Sequence, residues 1–258
     1  MIPGVVASAS GVVAGFTDPF TGTGALASRW TNTSGSWTRD TDDAYTATAA
    51  SSYPLASFDA NTRNVSVRSE YGVANTFGWG VAFWVTDANN WWAAVVDRTE
   101  SSCVIGSTTG CCACGDGGIS TGYPSCNCVY CDCGSCPSNP NCGQTQYAGT
   151  CTYPVYGTCY DYVLKLMKRE SGVVTTVATT SIASGNIGGG LTVAYVQAVT
   201  NEAGQITATA QMSTGGAVAS IVNTPSSPVR TNRHGIILTP RTTGTQADRI
   251  ETFIYAPQ

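Results

Sequence analysis

Residues 79–97 read Trp79-Gly80-Val81-Ala82-Phe83-Trp84-Val85-Thr86-Asp87-Ala88-Asn89-Asn90-Trp91-Trp92-Ala93-Ala94-Val95-Val96-Asp97. Two runs of β-branched, aromatic and small apolar residues flank Asp87-Ala88-Asn89-Asn90, whose polar side chains hydrogen-bond their own backbone and so favour a turn. The stretch is an antiparallel strand pair. Strand side chains alternate between faces, so Trp91 and Trp92 are expected on opposite sides of the sheet, one ring in the core and the other not. Trp79 and Trp84 are read as core.

The same pattern extends outward. Upstream, Asn64-Val65-Ser66-Val67-Arg68-Ser69-Glu70-Tyr71 alternates apolar with polar residues. Downstream, Tyr160 to Lys168 alternates, Gly172 makes a turn, and Val173 to Ala178 answers as a hairpin partner. Further strands are expected at Leu191–Val199, Gln205–Gln211, Gly235–Leu238 and Arg249–Tyr255, punctuated by glycine turns such as Gly188-Gly189-Gly190. No stretch has the period of a long amphipathic helix, and Val, Thr and Tyr outweigh the good helix formers. The expected class is all-β, a two-sheet antiparallel sandwich.

All 12 cysteines fall between Cys103 and Cys159, in a segment rich in Gly, Ser, Pro and Asn with no sustained period. The expected organisation is an N-terminal arm over 1–15, a first sandwich part over 16–102, a loop-dominated cysteine-rich insertion over 103–159, and a second sandwich part over 160–258. The arm is uncharged, lacks the basic start of a signal peptide, and is read as a docking segment.

Composition excludes several roles. The 258 residues carry 12 basic and 16 acidic side chains, a net charge of -4, and only 11% charged residues. The basic residues are scattered singly or nearly so, leaving no stripe for a phosphate backbone, so no nucleic-acid partner is expected. No run approaches the roughly 18 apolar residues of a membrane-spanning helix, so no membrane insertion is expected.

Phe16-Thr17-Asp18-Pro19-Phe20-Thr21-Gly22, followed by Leu26, Arg29-Trp30 and Gly35-Ser36-Trp37, resembles the opening of concanavalin A-like jelly rolls of the laminin-G-like type. Gly80 to Trp84 with Asn89 to Trp92, Tyr162 to Leu166 with Gly172, Leu191 to Val196 with Gly204 to Ile206, His234 to Ile236, and Asp248 to Tyr255 follow in the order of that pattern. The likeness covers 16–102 and 160–258 and implies a jelly-roll topology; the cysteine window has no counterpart in it. Ile2-Pro3-Gly4-Val5-Val6-Ala7-Ser8 resembles the beginnings of bacteriophage tail and virion-surface proteins. That likeness implies a virion-surface or extracellular location, other virion subunits as partners of the arm, and a homo-oligomer.

Glycosidases need two carboxylates about 5 to 9 Å apart across the scissile bond. No Glu-x-Asp-x-Glu strand occurs; Asp40-Thr41-Asp42-Asp43 reads as a turn of solvated carboxylates, with calcium on Asp40, Asp42 and Asp43 as the alternative, and Asp97-Arg98-Thr99-Glu100 as a strand end. The single histidine, His234, is read as a ring packed at a sheet edge, so no catalytic residue is expected.

Two chemistries fit Cys103, Cys111, Cys112, Cys114, Cys126, Cys128, Cys131, Cys133, Cys136, Cys142, Cys151 and Cys159. Six disulfides would staple a segment with little core, which is the expectation. The alternative is zinc on all-cysteine sites, given the pair spacing of Cys111-x-x-Cys114, Cys128-x-x-Cys131 and Cys133-x-x-Cys136. No other cofactor is expected.

Sugars stack on Trp and Tyr rings while Asn and Asp bond their hydroxyls. Asn89, Asn90, Trp91 and Trp92 form one such group, and Tyr123 and Tyr130 lead a set in the window with Tyr147, Tyr153 and Tyr156. The expected function is therefore non-enzymatic: a lectin-like exterior protein attaching to a host-surface glycan. The alternatives are a purely structural decoration or tail-assembly subunit, and a carbohydrate-active enzyme whose carboxylates converge from separate strands.

Overall fold

A computed structural model describes residues 14–46, 53–70, 78–113, 148–187, 193–212, 217–240 and 249–258. Among these residues every regular element is a strand: β1 (Phe16–Asp18), β2 (Gly24–Ala25), β3 (Thr31–Ser34), β4 (Trp37–Asp40), β5 (Asp43–Thr46) and β6 (Leu55–Asp59). The middle of the chain supplies β7 (Val65–Glu70), β8 (Trp79–Asp87), β9 (Asn90–Ala113), β10 (Ala148–Glu170) and β11 (Val173–Ile187). The remainder supplies β12 (Val193–Thr200), β13 (Ile206–Met212), β14 (Ala219–Asn223), β15 (Arg233–Leu238), β16 (Arg249–Ile250) and β17 (Thr252–Pro257).

A six-stranded sheet has the order β1-β17-β7-β12-β13-β14, a seven-stranded sheet β11-β10-β9-β8-β15-β6-β3, and a four-stranded sheet β16-β5-β4-β2. The described ladders are antiparallel, with Phe16 opposite Tyr255, Val67 opposite Ala198, and Ile236 opposite Val81. The chain divides into two compact units, Met1–Glu100 with Tyr160–Gln258, and Ser101–Cys159.

The larger unit is a β-sandwich. Alternation in β7 turns Val65, Val67 and Ser69 inward, and β13 does the same with Ile206, Ala208 and Ala210. They join one cluster with Val81, Phe83, Ala94, Leu164 and Ile236 of the seven-stranded sheet. The first seven residues of β8 are buried without a break because both its faces are covered: Leu55, Ala82, Trp91, Val95, Met167 and Ile237 form a second cluster on the other face of that sheet. Gly80 and Gly235 sit where a Cβ would fall 2.0 and 1.9 Å from the carbonyl oxygens of Ala94 and Ala56, so no side chain fits at either position.

The opening motif has a physical role. Asp18 accepts the Phe20 N–H at 3.0 Å on one oxygen and the Trp30 indole N–H at 2.8 Å on the other. Trp30 is thereby set edge-on against Phe58 and Phe253. Gly22, at φ 91°, turns the chain so that its N–H reaches the Thr41 carbonyl at 2.7 Å.

Three details differ from the sequence reading. His234 lies on β15, between β8 and β6, with no exposed surface, because its strand is central rather than at a sheet edge. Asp97 to Glu100 lie within β9, not at its end. The strands also run into both ends of the cysteine window, β9 to Ala113 and β10 from Ala148, where Val104-Ile105 and Val155-Tyr156 supply strand-forming residues.

In the smaller unit, Cys103 and Cys159 form a disulfide with Cα atoms 5.8 Å apart, and the Ile105 side chain covers Gly157. Cys111 and Cys112 lie on β9 and Cys151 on β10. Cys114, Cys126, Cys128, Cys131, Cys133, Cys136, Cys142, Tyr123, Tyr130, Tyr147 and the arm over 1–13 lie outside the described residues.

Candidate functional site

Two hairpin turns of the seven-stranded sheet are laced together. In the β8–β9 turn, Asp87 accepts the Asn89 backbone N–H at 2.7 Å and both its oxygens accept from the Asn90 amide, at 3.0 and 3.1 Å. In the β10–β11 turn, Ser171 and Gly172 take φ values of 51° and 83°. The Ser171 N–H then donates to Asn90 Oδ1 at 2.9 Å and the Gly172 N–H to the Asn89 carbonyl at 3.1 Å. Arg169 completes the lacing, with Nε on the Gly172 carbonyl and Nη1 on the Ala88 carbonyl, both at 3.0 Å.

The β8–β9 ladder breaks register between Phe83 and Asp87, and at that bulge Trp84 adopts φ 51°. A left-handed bulky aromatic costs on the order of 1–3 kcal/mol and persists only where the surroundings hold it. Here its indole N–H donates to the Arg63 carbonyl at 2.9 Å, Trp92 packs edge-on at 6.3 Å, and the Arg230 guanidinium lies 5.3 Å from the ring centre. Arg230 also donates to the Glu202 and Asn201 carbonyls and to Asn64, while Thr231 bonds the Val85 carbonyl at 2.8 Å. These bonds anchor the segment bearing Val229, which is 71% exposed.

Between these parts lies a cavity of about 180 Å³, lined by Trp84, Thr86, Asn90, Trp91, Trp92, Arg169, Glu170 and Val229. It is smaller than the roughly 300–1,000 Å³ of drug-sized pockets and suits one ring-sized group. Glu170 is ion-paired with Lys168 at 2.8 Å, and Lys168 Nζ stands 5.9 Å from the centre of the Trp92 ring. The Trp84 and Trp91 indole N–H groups are engaged by the Arg63 and Ala88 carbonyls. Among the described residues, Trp92 Nε1 has no such acceptor and is not a fully buried atom.

Of the residues singled out from sequence, Asn90, Trp91 and Trp92 meet at the cavity, whereas Asn89 is exposed in the β8–β9 turn and does not line it. Trp91 and Trp92 do face opposite sides of the sheet, but both are buried, because the Tyr53 ring at 5.2 Å and the second apolar cluster cover Trp91. Asn90 braces the two turns, its amide oxygen and nitrogen both occupied within the protein. Trp84, Thr86, Arg169, Glu170 and Val229 are additions. Arg169 and Glu170 stand just before the Gly172 turn, which was a usable signal; nothing local to Val229 marks it.

The other ionisable candidates are engaged elsewhere. Asp43 is not a solvated carboxylate: it is 8% exposed and accepts from Arg249 at 2.8 Å, with Asp40 3.6 Å from the same guanidinium. Burial, together with Asp43, Asp42 and Glu70, raises the Glu251 carboxyl above its ordinary range. Asp97 is ion-paired with Lys165, and Glu100 with Arg98 at 2.9 Å. His234 bonds the Thr62 carbonyl at 2.9 Å through Nε2, and burial lowers its pKa to about 4.

The cavity therefore pairs indole surface with the Glu170 carboxylate and the Thr86 hydroxyl, a set suited to a small polyhydroxylated ring with apolar faces. No protein-family model, curated protein or solved structure matches the chain.

Proposed function

We propose that the chain is a non-enzymatic attachment protein of a virion or other exterior surface that holds one residue of a glycan in the cavity between the β8–β9 and β10–β11 turns. The observation that carries this reading is the cavity itself: Trp84 and Trp92 beside Thr86, Arg169 and Glu170, on turns braced by Asn90. Braced turns keep the polar groups in place before a ligand arrives, which lowers the ordering cost of binding. The non-enzymatic part is supported by His234, engaged in the core, and by Asp97 and Glu100, each in an ion pair.

The sandwich is a jelly roll of the concanavalin A-like, laminin-G-like type in this reading. Support comes from the Asp18-x-Phe20-x-Gly22 opening, which locks Trp30 into the core, and from the terminal strands β1 and β17 lying side by side. The virion assignment, the arm as contact to other subunits, and the homo-oligomer rest on the resemblance of Ile2 to Ser8. The cysteine-rich segment is then a displayed module held by disulfides, one of which joins Cys103 and Cys159.

A glycan array probed with the intact protein tests the function. Binding is expected to a restricted set of glycans, weakened about tenfold or more by Glu170→Gln and by Trp92→Phe in variants that keep the wild-type melting temperature. An array with no bound glycan, or binding indifferent to both substitutions, would refute the cavity as the site.

A further inference from the structure

We infer that the sugar held at this cavity carries a methyl group, which packs against Val229, with Val173 beside Glu170 extending the same apolar surface; the inference rests on the glycan reading above. Among the described residues these two valines are the most exposed large apolar side chains, at 71% and 67%. Exposed valines scattered over a surface are ordinary. Here both adjoin one indole-lined cavity.

Val229 is part of the cavity wall. Val173 is placed next to that wall by the β10–β11 turn: Ser171 and Gly172, both at positive φ, make a two-residue turn of the I′ kind, which sets Val173 opposite Glu170. Opposite residues of an antiparallel pair share a face. The neighbouring Val174 packs in the second apolar cluster with Trp91 and Met167, so alternation turns Val173 to the other face, that of Leu166, Trp92 and Glu170.

Both valines stand on fixed backbone. Arg230 donates to the Glu202 and Asn201 carbonyls and Thr231 to the Val85 carbonyl, which holds the segment of Val229. The Ser171 and Gly172 N–H groups bond the β8–β9 turn, which holds the start of β11. A β-branched side chain is stiff about its first torsion, so these methyl groups are in position before a ligand arrives.

The polar edge of a sugar is met by Glu170 and Thr86, and the charge of Glu170 is already matched by Lys168 at 2.8 Å, so the ligand has no charge to supply. Against the valines a hydroxyl would give up water and gain no partner, whereas a methyl group gains burial.

Calorimetry on the intact protein tests the inference with neutral pairs that differ at the methyl: L-fucose against L-galactose, L-rhamnose against L-mannose, and N-acetylglucosamine against N-formylglucosamine. The first two pairs replace a hydroxymethyl by a methyl and the third removes a methyl from an acyl group, so the pair with the larger ratio tells where the methyl sits. In at least one pair the methyl-bearing sugar is expected to bind about fourfold more tightly, or better. That ratio should fall towards one in Val229→Thr and by a smaller amount in Val173→Thr. Should either variant fail to fold, the wild-type ratios decide. Ratios near one in every pair, or a preference that survives both substitutions, overturn the methyl assignment, and the glycan site still stands if Glu170→Gln weakens binding. No binding of any saccharide on the panel overturns both.

Discussion

His234 shows how far one residue can be read from its surroundings. Its ring has no exposed surface, Nε2 bonds the Thr62 carbonyl, and Nδ1 is buried with no partner among the described residues. A second proton would have to sit on Nδ1 without an acceptor, so burial lowers the pKa from 6.5 to about 4, against smaller opposing pulls from the Thr62 bond and Asp59. Above pH 6.5 folded and unfolded chains both carry a neutral ring, and the contribution to stability is fully present. As the pH falls through 6.5 the unfolded chain takes up a proton that the folded chain refuses until about pH 4, and stability drains away across that window. The loss attributable to this one group is about 3 kcal/mol. Urea denaturation of wild type and His234→Gln at a series of pH values from 7 to 4 should show the wild type losing stability more steeply by about that amount; parallel curves would mean that the ring is not held neutral by burial.

At the scale of elements, the two hairpins were legible in sequence and their union was not. Asp87 to Asn90 encode a turn through local side-chain bonds, and Gly172 supplies the left-handed residue its turn requires, so each hairpin could be found from a few neighbouring residues. The bond from the Ser171 N–H to Asn90 spans 81 positions, and no local pattern announces it. Sequence distance likewise hid Val229 from the reading of the site, and the cover supplied by Tyr53 hid the burial of Trp91. The brace has a measurable consequence. Asn90→Ala removes the acceptor of the Ser171 N–H and the amide donors to Asp87, each loss being of the order of 1 kcal/mol. The variant should remain folded, lose about 1–2 kcal/mol, and show faster hydrogen exchange at the Ser171 and Gly172 amides while β13 amides keep their protection. Unchanged exchange at those two amides would show that Arg169 alone holds the turns together.

Across the whole molecule, the question is whether the sandwich needs what lies between its halves. Among the described residues, every side chain in its two apolar clusters comes from outside 104–158: the main cluster passes from Val96 to Tyr162, and the second from Val95 to Met167. The cavity residues are likewise all outside that segment, the nearest being Trp92 and Arg169. The registers that align β8 with β9, β8 with β15, and β15 with β6 are set by residues before Glu100 or after Tyr160. Joining two adjacent antiparallel strands by a shorter connection lowers the loop-closure entropy rather than raising it. Replacing residues 104–158 by a short Gly/Ser linker, with Cys103→Ser and Cys159→Ser to avoid stray thiols, should therefore yield a soluble β protein that unfolds cooperatively. It should also keep the glycan affinity proposed for the full chain, because neither the indoles nor the braced turns are touched. Circular dichroism, a melting curve and the calorimetric titration check this together. A product that is unfolded, or folded without the cavity's binding, would mean that the extended ends of β9 and β10 do more than carry the cysteine-rich segment, and that they set the curvature or register on which the Trp84 bulge depends.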